Sequence, residues 1–342
     1  MTAPDGPVLI VTMDDDSHAD IMVEELNRRG VEVVRFHPED FPVRSSVSLF
    51  QAADGWDGEL RTQGRSVLLS QVRSAWFRRP QDPMLSDAVP PSLKEFSLLQ
   101  ARDVLWAMYA LLDDRWLASP HALRWAELKP LQLQAAARVG LRTVQTLVSN
   151  DREAVEQFRR RLAGEQAECA VKSLRSTRVI TYDTKVWLPH TARWPADLPP
   201  DALDGIELTP AIYQRYLRKR LEVRAVVVED QVLAASVDPS LDELSADDVR
   251  RGELTRHWQP FHLPADVAAA LVRLTAGFGL HVSSSDLILT PDDELVFLEL
   301  NPNGQWLWLD LYAGLPLVRM VADVLCGSFA NTTGREHDRQ LV

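Results

Sequence analysis

The 342-residue chain has two cysteines, and none of its apolar runs approaches the length of a membrane span. Cys169 and Cys326 both sit in apolar contexts. Two thiols cannot build a disulfide framework, and they fit buried thiols in a reducing cytoplasm. The opening MTAPDGPVLIVTMDDD lacks a basic segment before its apolar run and turns acidic at once, which argues against a secretory signal. Positive charge is scarce: 37 Lys and Arg face 49 Asp and Glu, for a net charge of -12. That balance disfavours nucleic-acid and anionic-membrane surfaces. Lysine is scarcer still, limited to Lys94, Lys129, Lys172, Lys185 and Lys219. Where arginine is the default cation, a lysine in an apolar segment points to a need for a compact ammonium. What remains is ordinary globular material, 46% hydrophobic and 25% charged, long enough for two or three domains with real cores.

Along the chain, the apolar run Val8–Thr12 reads as a buried strand, followed by a helix over His18–Arg29 capped by Ser17 and a second strand at Val31–Phe36. This β-α-β opening implies a parallel sheet with a right-handed crossover. Val67–Val72 and Ser74–Arg78 read as further strands, and Ser92–Leu112 as a long helix. Ser119-Pro120 marks a domain boundary, followed by a single helix over His121–Val139 and a strand at Thr143–Val148. A charged amphipathic helix spans Asp151–Leu162, with strands at Cys169–Ser173 and Val179–Lys185. Residues 189–210 read as a loop rich in proline and aspartate. Val223–Val228 and Gln231–Val237 form a hairpin turning at Glu229-Asp230, and Ala265–Phe278 is a helix. The tail after Ser328 is polar and reads as disordered.

The chemistry concentrates in DLILTPDDELVFLELNPNGQW, residues 286–306. Glu299 and Asn301 are two apart on a strand and share a face, while Leu298 and Leu300 turn toward a core. If Pro291–Glu294 is a four-residue loop, Thr290 pairs with Leu295 and Asp286 lands opposite Glu299. Three oxygen-bearing side chains then meet, the hard ligand set that magnesium takes while leaving room for phosphate oxygens. A three-residue loop would put Asp286 on the wrong face. The competing reading is an edge hairpin with solvated acids. It accounts less well for an acid and an amide interrupting an apolar strand just before Asn-Pro-Asn-Gly.

Lys172 lies inside the apolar strand Cys169-Ala-Val-Lys-Ser, either snorkelling from an edge or reaching a ligand. Glu222 and Arg224 share one face of a strand. A buried arginine needs an anion, either Glu222 itself or a phosphate. Asp14–Asp16 and His18 invite a metal reading, but a helix N-terminus favours acids anyway.

Glu299-Leu-Asn-Pro-Asn-Gly resembles the magnesium motif of the ATP-grasp superfamily. Three stretches resemble a narrower group, the graspetide (microviridin-type) synthetases that mature ribosomal peptides: Trp76-Phe-Arg-Arg-Pro, Lys129-x-x-Gln-Leu-x-x-Ala-x-x-x-Gly running on to Asp151, and Asn301–Trp308. The resemblance covers roughly Val8 to Asp323. It implies an α/β (α+β) ATP-grasp fold with an N-terminal Rossmann-like pre-ATP-grasp domain over 1–118. Central and C-terminal ATP-grasp subdomains would span 119–212 and 213–330, with a tail over 331–342. It implies an enzyme that uses ATP and Mg²⁺, with Asp286, Glu299 and Asn301 on the metal. Lys129, Lys172, Ser173, Glu222 and the hinge Gln214, Arg215, Tyr216 and Leu217 would bind ATP. The loop Ser173–Arg178 would cover the phosphates, although it lacks the usual glycines. Arg224 and Arg256 would be catalytic cations, and Arg78 or Arg79 would meet acidic side chains of the substrate.

The implied partner is a ribosomal precursor peptide, leader and core, and the implied state is a homodimer. Its Asp or Glu side chains would be activated as acyl phosphates and joined to Ser/Thr or Lys as esters or amides. Two rivals stand beside this reading. One is a RimK- or glutathione-synthetase-like ligase that joins an amino acid to a peptide or small acid. The other is a regulator that only binds nucleotide.

Overall fold

The structure is a computed structural model that describes residues 5–53, 55–175, 180–182, 185–187, 191–194, 203–245 and 249–327. The tail after Ser328 lies outside them. The first strand, β1 (Val8–Val11), is wholly buried and pairs in parallel with β2 (Val33–Phe36) on one side. The crossover helix α1 (Ser17–Arg28) is capped by Asp16 rather than Ser17. The Asp16 carboxylate accepts the His18 N–H at 3.1 Å, and a negative cap also suits the positive end of the helix.

Next come β3 (Ser46–Ala52), β4 (Gly55–Thr62) and β5 (Arg65–Leu68), a three-stranded antiparallel meander. Of these the sequence pattern showed only the last, and that strand ends in a 3-10 turn at Leu69 instead of running to Val72. In β3 and β4, serine, glutamine, aspartate and glycine dilute the period-two signal. The strand β6 (Ser74–Phe77) returns to the other side of β1, so the parallel sheet has the order β2-β1-β6. Helix α2 (Lys94–Leu111) follows.

The single helix expected over His121–Val139 is two, α3 (Pro120–Ala126) and α4 (Lys129–Arg138). Pro130 explains the break, because a residue without an N–H is tolerated in a first turn but not inside a helix. A four-stranded antiparallel sheet is built from β7 (Thr146–Ser149), β8 (Cys169–Lys172), β11 (Ala192–Trp194) and β12 (Ala211–Arg215), in the order β11-β8-β12-β7. Helix α5 (Arg152–Gly164) covers it with Val155, Phe158 and Leu162. The stretch Val179–Lys185, which reads as one strand, holds β9 (Ile180–Tyr182) and the start of β10 (Lys185–Trp187), an antiparallel pair. Residues 179, 183 and 184, and residues 189, 190 and 195–202 of the expected loop 189–210, lie outside the described residues; the described part of that loop includes β11 and a 3-10 turn at Ile206–Leu208.

The largest sheet is antiparallel, in the order β15-β14-β13-β16-β17. It comprises β13 (Leu221–Val228), β14 (Gln231–Val237), β15 (Gln259–Pro260), β16 (Val282–Leu289) and β17 (Leu295–Asn301). Helix α6 (Ala265–Gly277) lies between β15 and β16, and α7 (Leu307–Ala313) and α8 (Leu317–Cys326) end the described chain.

Alternation along β13 splits its side chains between two cores. Val223, Ala225 and Val227 pack with Leu271 and Leu274 of α6 and with Leu287 and Phe297. Val226 and Val228 pack on the other side with Val8, Ile10, Met22 and Leu26 of the parallel unit and Leu317 and Val321 of α8. Each buried Val, Leu, Ile, Met or Phe side chain here contributes about 1.5–3 kcal/mol, so the parallel sheet and the large sheet are held by a common core. Toward the start of β13 the second face carries Glu222 and Arg224 in place of valine.

Candidate active site

The β16–β17 hairpin is closed by a tighter turn than four residues. The Thr290 N–H donates to Glu294 O at 3.0 Å and the Asp293 N–H to Thr290 O at 3.1 Å, leaving the loop Pro291–Asp293 with Asp293 at φ 62°. By itself this three-residue turn would aim Asp286 at the wrong face. A β-bulge reverses the outcome. Pairing runs Leu289 with Leu295, Ile288 with Val296 and Leu287 with Phe297, then slips by one, so that Asp286 faces Glu299 and Ser284 faces Asn301. Leu298 is the extra residue. Phe297 and Leu300 therefore both enter the core below, while Glu299 and Asn301 take the opposite face with Asp286. Leu298, expected to join Leu300 in that core, stays half-exposed.

On that face the Asn301 Nδ2 donates to Asp286 Oδ2 at 3.0 Å and to Glu299 Oε1 at 3.1 Å. The Asp286 and Glu299 side chains each remain 27% exposed, so the cluster is open to a ligand. Burial, with Glu299 and Glu222 close by, pushes the Asp286 carboxyl above the usual carboxylate range against the pull of Arg224. Burial acts the same way on Glu299, but Lys129 and Lys172 outweigh it and hold that carboxylate low. Among the described residues no three His, Cys, Asp or Glu side chains gather as a metal cluster. Two carboxylates and an amide are nonetheless a fitting donor set for a Mg²⁺ that keeps its remaining positions for water and phosphate.

Cations surround the acids. Lys129 Nζ donates to Glu299 Oε2 at 2.6 Å from the first turn of α4. Arg224 Nε lies 2.8 Å from Asp286 Oδ1, its register partner on β16. Arg224 thus pairs with Asp286 and not with Glu222. Glu222 instead accepts from Lys219, on the link between the four-stranded and five-stranded sheets. Lys172 reaches the same group from β8. Burial depresses its ammonium, while Glu299, Asp286 and Glu222 pull the other way. Three of the five lysines therefore converge on one acidic face, as their scarcity hinted. Four cations against three carboxylates leave a positive surplus suited to a polyphosphate.

Two contributors escaped the sequence reading. Lys219 stands among the few lysines, but the sequence reading gives it no role. Gln132, wholly buried, donates from Nε2 to Leu300 O at 2.7 Å and accepts the Leu300 N–H at Oε1 at 3.1 Å. It pairs with the outer edge of β17 at Leu300 and ties α4, and with it Lys129, to the strand of Glu299. Its signal was the Lys-x-x-Gln spacing, one helical turn from Lys129.

The hinge is partly occupied by the protein itself. Gln214 on β12 is buried and donates from Nε2 to Thr146 Oγ1 at 3.0 Å. The Arg215 and Tyr216 N–H groups donate to Gln145 O and Glu168 O. The Arg215 guanidinium pairs with Glu165 at 2.6 Å, not with the acidic face. Leu217 sits on the link between sheets, and Ser173, exposed, donates to Arg175 O at 2.8 Å. Residues 176–178 of the expected phosphate loop lie outside the described residues. Arg256 is exposed over the Tyr312 ring at 5.5 Å. Arg79 is half-buried, whereas Arg78, expected to meet a substrate, is 1% exposed and donates to Asn303 O at 2.6 Å. It lies inside the molecule because the shared core closes over the end of β6.

Residues 7–124 match the family model of the MvdD pre-ATP-grasp domain. The whole structure matches a RiPP-associated ATP-grasp ligase from Chryseobacterium gregarium, solved with ADP and a leader and core peptide. The TM-score is 0.86 and the identity 24%, with 94% of this chain and 96% of that one covered. The chain has the ATP-grasp ligase fold behind a pre-ATP-grasp domain. Macrocyclase MdnC from Microcystis aeruginosa MRC, solved with precursor peptide MdnA, matches this ATP-grasp fold at TM-score 0.80 and 28% identity over 93% of this chain and 99% of that one. Macrocyclase MdnB from the same organism gives 0.76 and 27%, covering 94% and 99%. No curated protein matches the chain by sequence.

Proposed function

We propose that the protein is an ATP- and Mg²⁺-dependent ligase that crosslinks a ribosomally made precursor peptide through the peptide's own carboxylates. The observation that carries this reading is the convergence of Lys129, Lys172, Lys219 and Arg224 on Glu222, Asp286, Glu299 and Asn301, at the junction of the four-stranded and five-stranded sheets. Support for a peptide substrate comes from the matched ligases, whose structures hold leader, core or precursor peptides.

Asp286, Glu299 and Asn301 would hold magnesium, which supplies charge neutralisation and orientation to the phosphates when bound. Lys129 and Lys172 bind the phosphate oxygens as compact, desolvated cations, and Lys219 pairs with Glu222 beside them. The hinge Gln214–Leu217 borders the nucleotide. Arg224 faces the reacting carboxylate. An Asp or Glu side chain of the peptide attacks the γ-phosphorus and ADP leaves, giving an acyl phosphate. A Ser/Thr hydroxyl or Lys amine then attacks the acyl carbon, loses its proton and expels phosphate. Positioning and charge stabilisation suffice for such a transfer. In this reading the chain divides into a pre-ATP-grasp domain over 1–118 and ATP-grasp subdomains over 119–212 and 213–330. The two free thiols support a reducing compartment, the cytoplasm. No helix among the described residues is long and apolar enough to cross a membrane.

Mass spectrometry of a candidate precursor incubated with enzyme, ATP and Mg²⁺ tests the reading. Loss of one water per ring, absent with Asn301→Ala, is the expected result. A mass gain equal to an added amino acid would mark an amino-acid ligase, and an unchanged peptide with no ADP formed would reject catalysis.

A further inference from the structure

Thr12, Asp16, His18 and Arg78 form a buried polar cluster at the C-terminal ends of β1 and β6, each at most 8% exposed. Among acids and a histidine at a helix start, a metal is the obvious thought, but the contacts run elsewhere. Thr12 Oγ1 donates to Asp16 Oδ2 at 2.6 Å, and Asp16 Oδ1 accepts the His18 N–H. The imidazole looks across to the turn after β17: His18 Nε2 accepts the N–H of Trp306 at 3.0 Å and of Leu307 at 3.1 Å. Two donors on one ring nitrogen mean that this nitrogen carries no proton. The Trp306 ring stands edge-on to the imidazole, 5.1 Å between centroids at 89°.

Arg78 grips the same turn from the other side, donating to Asn303 O at 2.6 Å and Oδ1 at 3.2 Å, while Asn303 Nδ2 donates back to Phe77 O at 3.2 Å and to Arg78 O. Its guanidinium lies 3.8 Å from Asp16 Oδ2. The turn is held on the sheet side as well. The Gly304 N–H donates to Asn301 O at 3.2 Å, and a Cβ on Gly304 would come within 2.8 Å of Ser284 Oγ. The turn therefore leads straight from this cluster to Asn301.

We propose that Asp16, His18 and Arg78 are positioning residues, through which the pre-ATP-grasp domain fixes the Pro302–Leu307 turn and thereby holds Asn301 and Glu299 against Asp286 for metal binding. The inference rests on the assignment of magnesium to those three side chains. It gives the N-terminal domain a part in phosphoryl transfer without touching ATP. Groups that orient metal ligands from behind are typically worth 10–100-fold in metal affinity.

The test is the Mg²⁺ dependence of AMPPNP binding to the full chain, measured by calorimetry, with melting temperature as a check on folding. His18→Leu removes the acceptor, and His18→Gln restores an oxygen in its place. The expected result is a rise of about tenfold or more in the Mg²⁺ concentration needed for half-maximal binding in His18→Leu. His18→Gln should recover most of this, and affinity for AMPPNP in EDTA should not change. Asn303→Ala, at a half-exposed position, should show the same shift and carries the test if His18→Leu does not fold. Wild-type Mg²⁺ dependence in folded His18→Leu or Asn303→Ala, with a shift in Asn301→Ala, would overturn the positioning role alone. No shift in Asn301→Ala would overturn the metal assignment and this inference with it.

Discussion

At the scale of single residues, the candidate site is a balance of charges whose members restrain one another. Glu299 is held low by Lys129 and Lys172, while Asp286 is pushed up by burial despite Arg224. Glu299→Gln should therefore lose a ligand and release Lys129 together. We expect ADP release to fall by more than ~100-fold, since a ligand should cost at least what its supporting shell does. Retained turnover in a folded variant, read by a coupled ADP assay, would refute the assignment. His18 gives a pH prediction. Burial, then Arg78 and Arg79, outweigh the nearby Asp16 and lower its pKa from 6.5 to about 3. The folded form thus binds its proton later than the unfolded chain. The stability this contributes is complete above the unfolded pKa and drains away as pH falls from about 6.5 toward 3, at up to ~1.4 kcal/mol per pH unit. Urea midpoints at pH 7.5 and 5 should drop less in His18→Gln than in wild type. Glu299 and Asn301 were readable as a pair because a strand puts residues two apart on one face. Gln132 was not, because it acts through a partner that only folding supplies, Leu300, 168 positions away.

At the scale of elements, the hairpin shows two deviations cancelling. The turn is one residue shorter than the site needs, and the bulge at Leu298 supplies the missing residue. Deleting Leu298 would then leave a regular strand in which Phe297 and Leu300 still face the core and Glu299 and Asn301 still face Asp286. Deleting Leu300 would put Glu299 and Asn301 on opposite faces. Mg²⁺-dependent AMPPNP binding should survive the first deletion within ~10-fold and vanish with the second, a contrast that calorimetry can read directly. Equal loss in both would mean that the bulge itself shapes the site. Element boundaries were legible wherever a local rule decided them, as with Gly30 after α1 or Glu229-Asp230 between β13 and β14. They failed where the rule was weak: polar residues hid β3 and β4, and helical spacing across Leu128-Lys129-Pro130 concealed a break.

At the scale of the whole molecule, the cores divide the chain unevenly. Val8, Ile10 and Met22 share a core with Val226, Val228 and Trp306 from the distant half of the sequence. Val155, Phe158, Leu162, Cys169, Leu203, Ile206 and Tyr213 form a core of their own under the four-stranded sheet. We expect calorimetry to resolve two transitions. Val155→Ala should lower only the one belonging to the four-stranded lobe. Met22→Ala, at a cost of about 2–5 kcal/mol, should lower the other, which includes the metal hairpin. A single transition shifted by both substitutions would contradict this division.

Local chemistry was enough, from the sequence alone, to mark β1-α1-β2 as a parallel unit, to set Glu299 and Asn301 side by side and to single out the few lysines. Those features depend on periods of 2 and 3.6 residues and on side-chain type, and both are properties of neighbours in the chain. Tertiary structure alone decided that Asp286 joins the pair despite a short turn, that Arg224 pairs with Asp286 and not with Glu222, and that Arg78 lies buried against Asn303. Each of these turns on the strand register and on which surfaces share a core, and both are set by contacts between segments far apart in the chain.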